Sequence, residues 1–149
     1  MSHPPQPSAS TAHPHPDLLQ PACEHLRAGG LVILPTDTVY GIGCDAAEAG
    51  AVERLLAAKG RGRQMPPPVL VADPAALTGI VAELPDVARA LTEAFWPGAL
   101  TLILDAEGAL TWDLGETGGT IAVRMPAHDL ALDLLRRYAD CREEHIVWF

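Results

Sequence analysis

Two threonines flanking an aspartate, a lone arginine inside an apolar strand, and three cations on a glycine-spaced loop are the residues of this chain that could do chemistry. The first group lies in "LPTDTVYGIG", residues 34–43, directly after a short apolar run. Thr36 and Thr38 offer hydroxyls, and Gly41 and Gly43 would let backbone N–H groups approach a small polar ligand. An ordinary strand-end turn with threonine-to-backbone bonds uses the same residues. The second group is "KGRGRQMPPP", where Lys59, Arg61 and Arg63 follow a helix without an intervening negative charge. Such a cluster suits a triphosphate; a solvated basic loop has the same composition. It is not a Walker A loop, in which the glycines come first and the lysine opens the helix. Lys59 is the only lysine beside nine arginines, a hint that its compact ammonium matters. The third is Arg124 in "GGTIAVRMP". An unpaired charge inside an apolar strand is costly, so it must reach solvent or meet an anion, and a bidentate carboxylate clamp is the obvious use.

Elements must position these groups. Residues 17–28 have helical apolar spacing, with Pro21 in a first turn and Gly29–Gly30 as the stop. "LVIL" reads as a buried strand ended by Pro35, residues 47–58 as a helix, "PVLVA" at 68–72 as a strand, and 74–96 as one or two helices broken at Pro85. "ALTLIL" (99–104) and "TIAVRM" (120–125) are strands around an irregular, glycine-rich 105–119, and "HDLALDLLRRY" is a last helix. Strands separated by helices imply an α/β sandwich, and the two successive strands favour a mixed sheet over a purely parallel one.

Composition bounds the rest. At 149 residues the chain suits one domain. The first sixteen residues, rich in Pro, Ser and His, read as a disordered tail, with His3, His13 and His15 as solvated residues of it. A signal peptide is not indicated, and no apolar run is long enough to span a bilayer. Cys23, Cys44 and Cys141 are widely spaced, which suggests neither zinc nor disulfides and fits a reduced, cytoplasmic protein. The net charge of −9 argues against a protein that mainly grips nucleic-acid backbone.

"GGLVILPTDTVYGIGCDA", "KGRGRQMPPPVLV", "FWPGALTLIL" and "GGTIAVRMPAH", in this order, resemble the YrdC-like family, the threonylcarbamoyl-AMP synthases. The resemblance runs from about Leu18 to Tyr138. It implies an α/β fold around a twisted, mixed, mostly parallel sheet flanked by helices, with residues 17–149 as the domain. It implies a nucleotidyltransferase that makes threonylcarbamoyl-adenylate and pyrophosphate from L-threonine, bicarbonate and ATP. The product would feed a transferase that forms N6-threonylcarbamoyladenosine in tRNA. The family pattern places Thr36, Thr38 and Arg124 at the threonine. It places Lys59, Arg61, the backbone near Met65, and Thr120 at ATP, with Mg2+ accompanying the nucleotide. Asp37 and His128 are candidate general bases, but a solvent-facing aspartate and a helix-start histidine are the plainer assignments. Weak binding of tRNA or double-stranded RNA is a further implication. Two departures stand out: Ala99 replaces a family proline, and "ADCREEHIVWF" stands where the family continues into a Ser-Ala-Asn motif. Part of the ATP pocket and a sheet strand are therefore expected to be missing, with "HIVWF" as a substitute strand. A non-catalytic ATP- or RNA-binding remnant of the family is the alternative.

Overall fold

A six-stranded sheet organises the computed structural model, which describes residues 16–142 and 145–148. The predicted N-terminal tail falls outside the described residues, except for Pro16. In chain order the elements are α1 (Pro16–Arg27), β1 (Val32–Pro35), β2 (Tyr40–Asp45), α2 (Ala49–Ala58), β3 (Val69–Leu70), a 3-10 turn (Pro74–Leu77) and α3 (Asp86–Phe95). They continue with β4 (Leu102–Asp105), β5 (Thr120–Arg124), α4 (Asp129–Arg142) and β6 (Ile146–Trp148). The sheet runs β1-β2-β6-β3-β5-β4.

The α/β class and the mixed sheet agree with the sequence; the mostly parallel expectation does not. Only β3 and β5 pair in parallel, and the other four pairings are antiparallel. Two causes are visible. "YGIGCD", taken as a loop, is strand β2, and a four-residue turn from Thr36 to Val39 folds it back on β1. Such a short connection permits only antiparallel pairing. Then β6 inserts between β2 and β3, antiparallel to both. Of the "HIVWF" segment, Ile146–Trp148 do form a strand, and a central one, with all three residues buried; Phe149 lies outside the described residues. A strand covered on both faces reads as continuously apolar, and these three residues do.

Gly43 serves this packing. A Cβ built there would lie 2.2 Å from the Trp148 ring, so its glycine is required by the indole on the neighbouring strand. Gly41 and Gly43 pair with Leu34 and Val32 inside the sheet. They are thus ladder residues, not part of the loop that sequence reading assigned to ligand contact. Pro21 lies in the middle of α1, not its first turn, and so leaves the helix one backbone bond short.

Alternation assigns the two faces. Cys44, Val147, Val69 and Val123 point to the core built with α2, where Val52, Leu55 and Leu56 are buried. Trp148, Ile146 and Leu70 point to the opposite core under α1 and α4, with Leu26, Leu134 and Tyr138. Tyr138 also donates its hydroxyl to Asp45, fully buried at the end of β2, whose other oxygen accepts from Ala47 N at 2.8 Å. Arg124 is the cross-strand partner of Leu70, so Thr120, Ala122 and Arg124 share that second face. There the cover ends: those three residues are half-buried, and Ile103 beside Ala122 is 70% exposed. The fold leaves an open shelf over β5 and β4.

Candidate functional site

The hairpin turn between β1 and β2 is tied by Thr36. Its hydroxyl donates to Val39 O at 2.7 Å and accepts from the N–H groups of Thr38 and Val39, both at 3.3 Å. Thr36 Oγ1 also lies 3.1 Å from Thr38 Oγ1. The hydroxyl of Thr36 is therefore committed to the turn, and that of Thr38 faces outward to the shelf.

Arg124 ends β5 opposite this turn. Its Nε donates to Gly98 O at 2.9 Å, Nη2 to Asp37 Oδ1 at 2.6 Å, and Nη1 to Thr38 Oγ1 at 3.4 Å. Asp37 Oδ1 accepts a second bond from Ala127 N at 3.0 Å. The two side chains are only 13% and 18% exposed. Asp37 is an exposed residue, as the sequence suggested, but its carboxylate is largely covered by its ion pair with Arg124. Gly98 is itself fixed, with its N–H donated to Met125 O at 2.8 Å. A Cβ at Gly98 would meet Phe95 O at 2.6 Å, so the tight turn after Trp96-Pro97 requires glycine.

Sequence reading reserved Arg124 for a ligand carboxylate and overlooked its protein partners, Asp37 and the Gly98 carbonyl, together with Ala127 N, which holds Asp37. The first was open to detection, since an arginine in an apolar strand implies a carboxylate nearby and Asp37 sits between two threonines already singled out. The backbone partners carried no signal, because any residue supplies a carbonyl or N–H. His128 lies immediately before α4, and its Nδ1 is buried without a hydrogen-bond partner among the described residues.

The basic loop divides in two. Gly60, at φ +62°, terminates α2 in the left-handed region that favours glycine. Lys59, Arg61 and Met65 are exposed on the loop that follows. Arg63 has a different task. It grips Asp113 through two bonds, at 2.6 and 3.3 Å, and its carbonyl accepts from Glu116 N at 2.7 Å. This pairing pushes the Asp113 carboxyl down and the Arg63 guanidinium up from their ordinary values, hydrogen bonding being the first cause of each. The irregular 105–119 segment is thereby pinned to the loop, and Arg63 is committed to that contact.

Thr120 links this loop to the shelf. A cavity of about 240 Å3 lies between Pro66 and Pro67 on one side and Ile103, Leu114, Thr120 and Ala122 on the other. Thr120 Oγ1 donates to Thr117 O at 2.8 Å, which leaves its hydroxyl oxygen only acceptor capacity for anything in the cavity it lines. Thr38 and Thr120 therefore lie on the same open face as Arg124, and of the segment after the basic loop Pro66 and Pro67 reach the cavity beside Thr120. No group of three or more His, Cys, Asp or Glu converges as a metal cage among the described residues.

Comparison with known proteins was consistent. The Sua5/YciO/YrdC family model, described as "Telomere recombination", matches residues 24–143. A Mycobacterium tuberculosis protein, provisionally named a threonylcarbamoyl-AMP synthase, is 54% identical over 111 residues, which are 74% of this chain and 51% of the relative. The Pyrococcus abyssi threonylcarbamoyl-AMP synthase is 42% identical over 116 residues, 76% of this chain and 34% of its own length. The solved structure of P. abyssi Sua5 complexed with L-threonine superposes with a TM-score of 0.78 at 37% identity, over 88% of this chain and 37% of that one. The chain thus spans about half the length of the mycobacterial relative, and less of the archaeal one. With its matched region covering five of the six strands, the basic loop and the Arg124 shelf, the chain belongs to the Sua5/YciO/YrdC family.

Proposed function

We propose that the shelf over β5 holds L-threonine and ATP for a nucleotidyltransferase reaction that forms threonylcarbamoyl-adenylate. The observation that carries this reading is Arg124, set on the open face beside the Thr38 hydroxyl, on the strand whose Thr120 and Ala122 line a cavity with Pro66 and Pro67. The Sua5 structure with L-threonine supports it from a relative. Arg124 would take the amino-acid carboxylate. Lys59 and Arg61 would meet the phosphates, with the Met65 backbone near the nucleotide and Thr120 accepting from it. Mg2+ would ride on the phosphates and neutralise the leaving group; it needs no protein cage for that.

The reaction is one of placement and charge neutralisation. The neutral threonine amine forms a C–N bond to the carbon of bicarbonate with loss of water, or to that of CO2 with loss of a proton, and either route gives the carbamate. A carbamate oxygen then attacks the α-phosphorus, the bond to the β-phosphate oxygen breaks, and pyrophosphate leaves. Arg124 orients the amino acid and the cation loop stabilises charge on the phosphates. The product suits a transferase that modifies tRNA adenosine, in the cytoplasm. Among the described residues no helix is long and apolar enough to cross a membrane.

Incubation with ATP, threonine and bicarbonate tests the reading. Pyrophosphate release that requires threonine supports it, and equal release without threonine contradicts the substrate. ATP binding without any turnover would instead identify a nucleotide-binding remnant.

A further inference from the structure

A guanidinium has two edges on which a carboxylate can dock. The side-on edge presents the Nε and Nη2 hydrogens, and the end-on edge presents one hydrogen from each Nη. Within Arg124 both nitrogens of the side-on edge are engaged by the protein: Nε binds Gly98 O at 2.9 Å and Nη2 binds Asp37 Oδ1 at 2.6 Å. On the other side Nη1 makes only the 3.4 Å contact with Thr38 Oγ1. Asp37 is held independently of the arginine, because the same Oδ1 accepts the Ala127 N–H at 3.0 Å. The carboxylate is therefore anchored to the chain beyond β5 and is fixed before it meets the guanidinium.

We propose that Asp37 is a positioning residue that closes the side-on edge of Arg124 and leaves the Nη1–Nη2 edge, beside Thr38, as the place where a substrate carboxylate docks. This rests on the preceding reading of Arg124 as the carboxylate site. The fixed fork loses little further side-chain freedom when ligand arrives, which is the benefit of preorganisation. It also admits the carboxylate in one orientation, next to the Thr38 hydroxyl. Asp37 touches no reacting atom in this account and acts through Arg124.

Two measurements decide it. Guanidinium 15N NMR on the protein alone reads rotation about the Arg124 Nε–Cζ bond. Rotation should be slow in wild type and about tenfold faster or more in Asp37→Ala, as loss of a charge-assisted bond implies. Asp37→Asn keeps an oxygen for Ala127 N–H, guards against a folding defect, and should fall between. Equal rates in all three would overturn the lock, whatever the chain binds. Calorimetry then follows L-threonine on wild type, Asp37→Ala, Arg124→Ala and the double variant. Asp37→Ala should raise Kd about tenfold or more, yet add little once Arg124 is already alanine. Fully additive losses would overturn the positioning role. A wild type that binds no threonine but keeps the slow rotation would contradict the substrate reading and uphold the lock.

Discussion

Arg124 stands at the end of a strand against a carboxylate, a carbonyl and a hydroxyl, its side chain 13% exposed. Lys59 stands at the end of α2 on an exposed loop with glycine on its far side. One cation is fixed in direction and the other is offered mainly as charge. The contrast matches the two anions of the proposed reaction. A carboxylate has two oxygens in a plane and rewards a fork of defined orientation. A triphosphate spreads its charge over many oxygens and is served by a compact ammonium. Arg63, in the same loop as Lys59, shows that sequence proximity does not assign the role: it is turned to Asp113 and holds the 105–119 segment.

The largest effect should come from Arg124→Ala. Losing a bidentate charge-assisted pair is worth about 3 kcal/mol, so threonine affinity should fall about a hundredfold or more while ATP affinity changes little. Arg124→Lys should not restore it, because an ammonium cannot keep the Gly98 and Asp37 bonds and still present two donors. Parallel loss of both ligands in calorimetry would erase the distinction between the two regions.

Lys59→Ala should act the other way. One charge-assisted contact of about 1.5–3 kcal/mol predicts a ten- to hundredfold weaker ATP Kd, with threonine binding preserved. Unchanged nucleotide affinity would remove Lys59 from the phosphate site.

Arg63→Ala should matter less for either ligand. Its ion pair with Asp113 is open to solvent, so the variant should melt within about 2–3 °C of wild type, and the difference should shrink in 1 M salt. A large loss of ATP affinity would show that Arg63 belongs with Lys59 after all.

The smallest effect lies away from both cations. Burial pushes the His145 imidazole below its ordinary value of 6.5, against the opposing pull of Asp45. The folded protein thus binds this proton less readily than the unfolded chain. Stability is full above pH 6.5 and falls as acid passes below it, and His145→Asn should flatten that slope in melts across pH 7 to 5. An unaltered slope would place the acid sensitivity elsewhere.

Much of this arrangement was legible in the sequence, and the reasons for the exceptions are physical. Helical periodicity and the runs "LVIL" and "TIAVRM" located α2, α4, β1 and β5, but β1, expected to be buried, is an edge strand with Ile33 70% exposed. Strand β2 escaped notice because "YGIGCD" carries glycines that look like a loop, yet Gly43 is demanded by the indole of Trp148 on a strand more than a hundred residues later. The order of the sheet was likewise set by long-range insertion of β6, which no local pattern announces. At the site, residue types pointed to Arg124 and the threonines. The orientation of the guanidinium did not, since it depends on Gly98 O and Ala127 N, and backbone groups leave no mark in residue identity.

The most direct test of the central claim, that Arg124 on this shelf reads an amino-acid carboxylate, is calorimetry of wild type with L-threonine and with L-threoninamide. The amide keeps the amine and hydroxyl but cannot form a charged pair with the guanidinium. The account predicts a Kd for threoninamide about a hundredfold weaker than for threonine, and no difference between the two in Arg124→Ala. Equal affinity of wild type for threonine and its amide would contradict it.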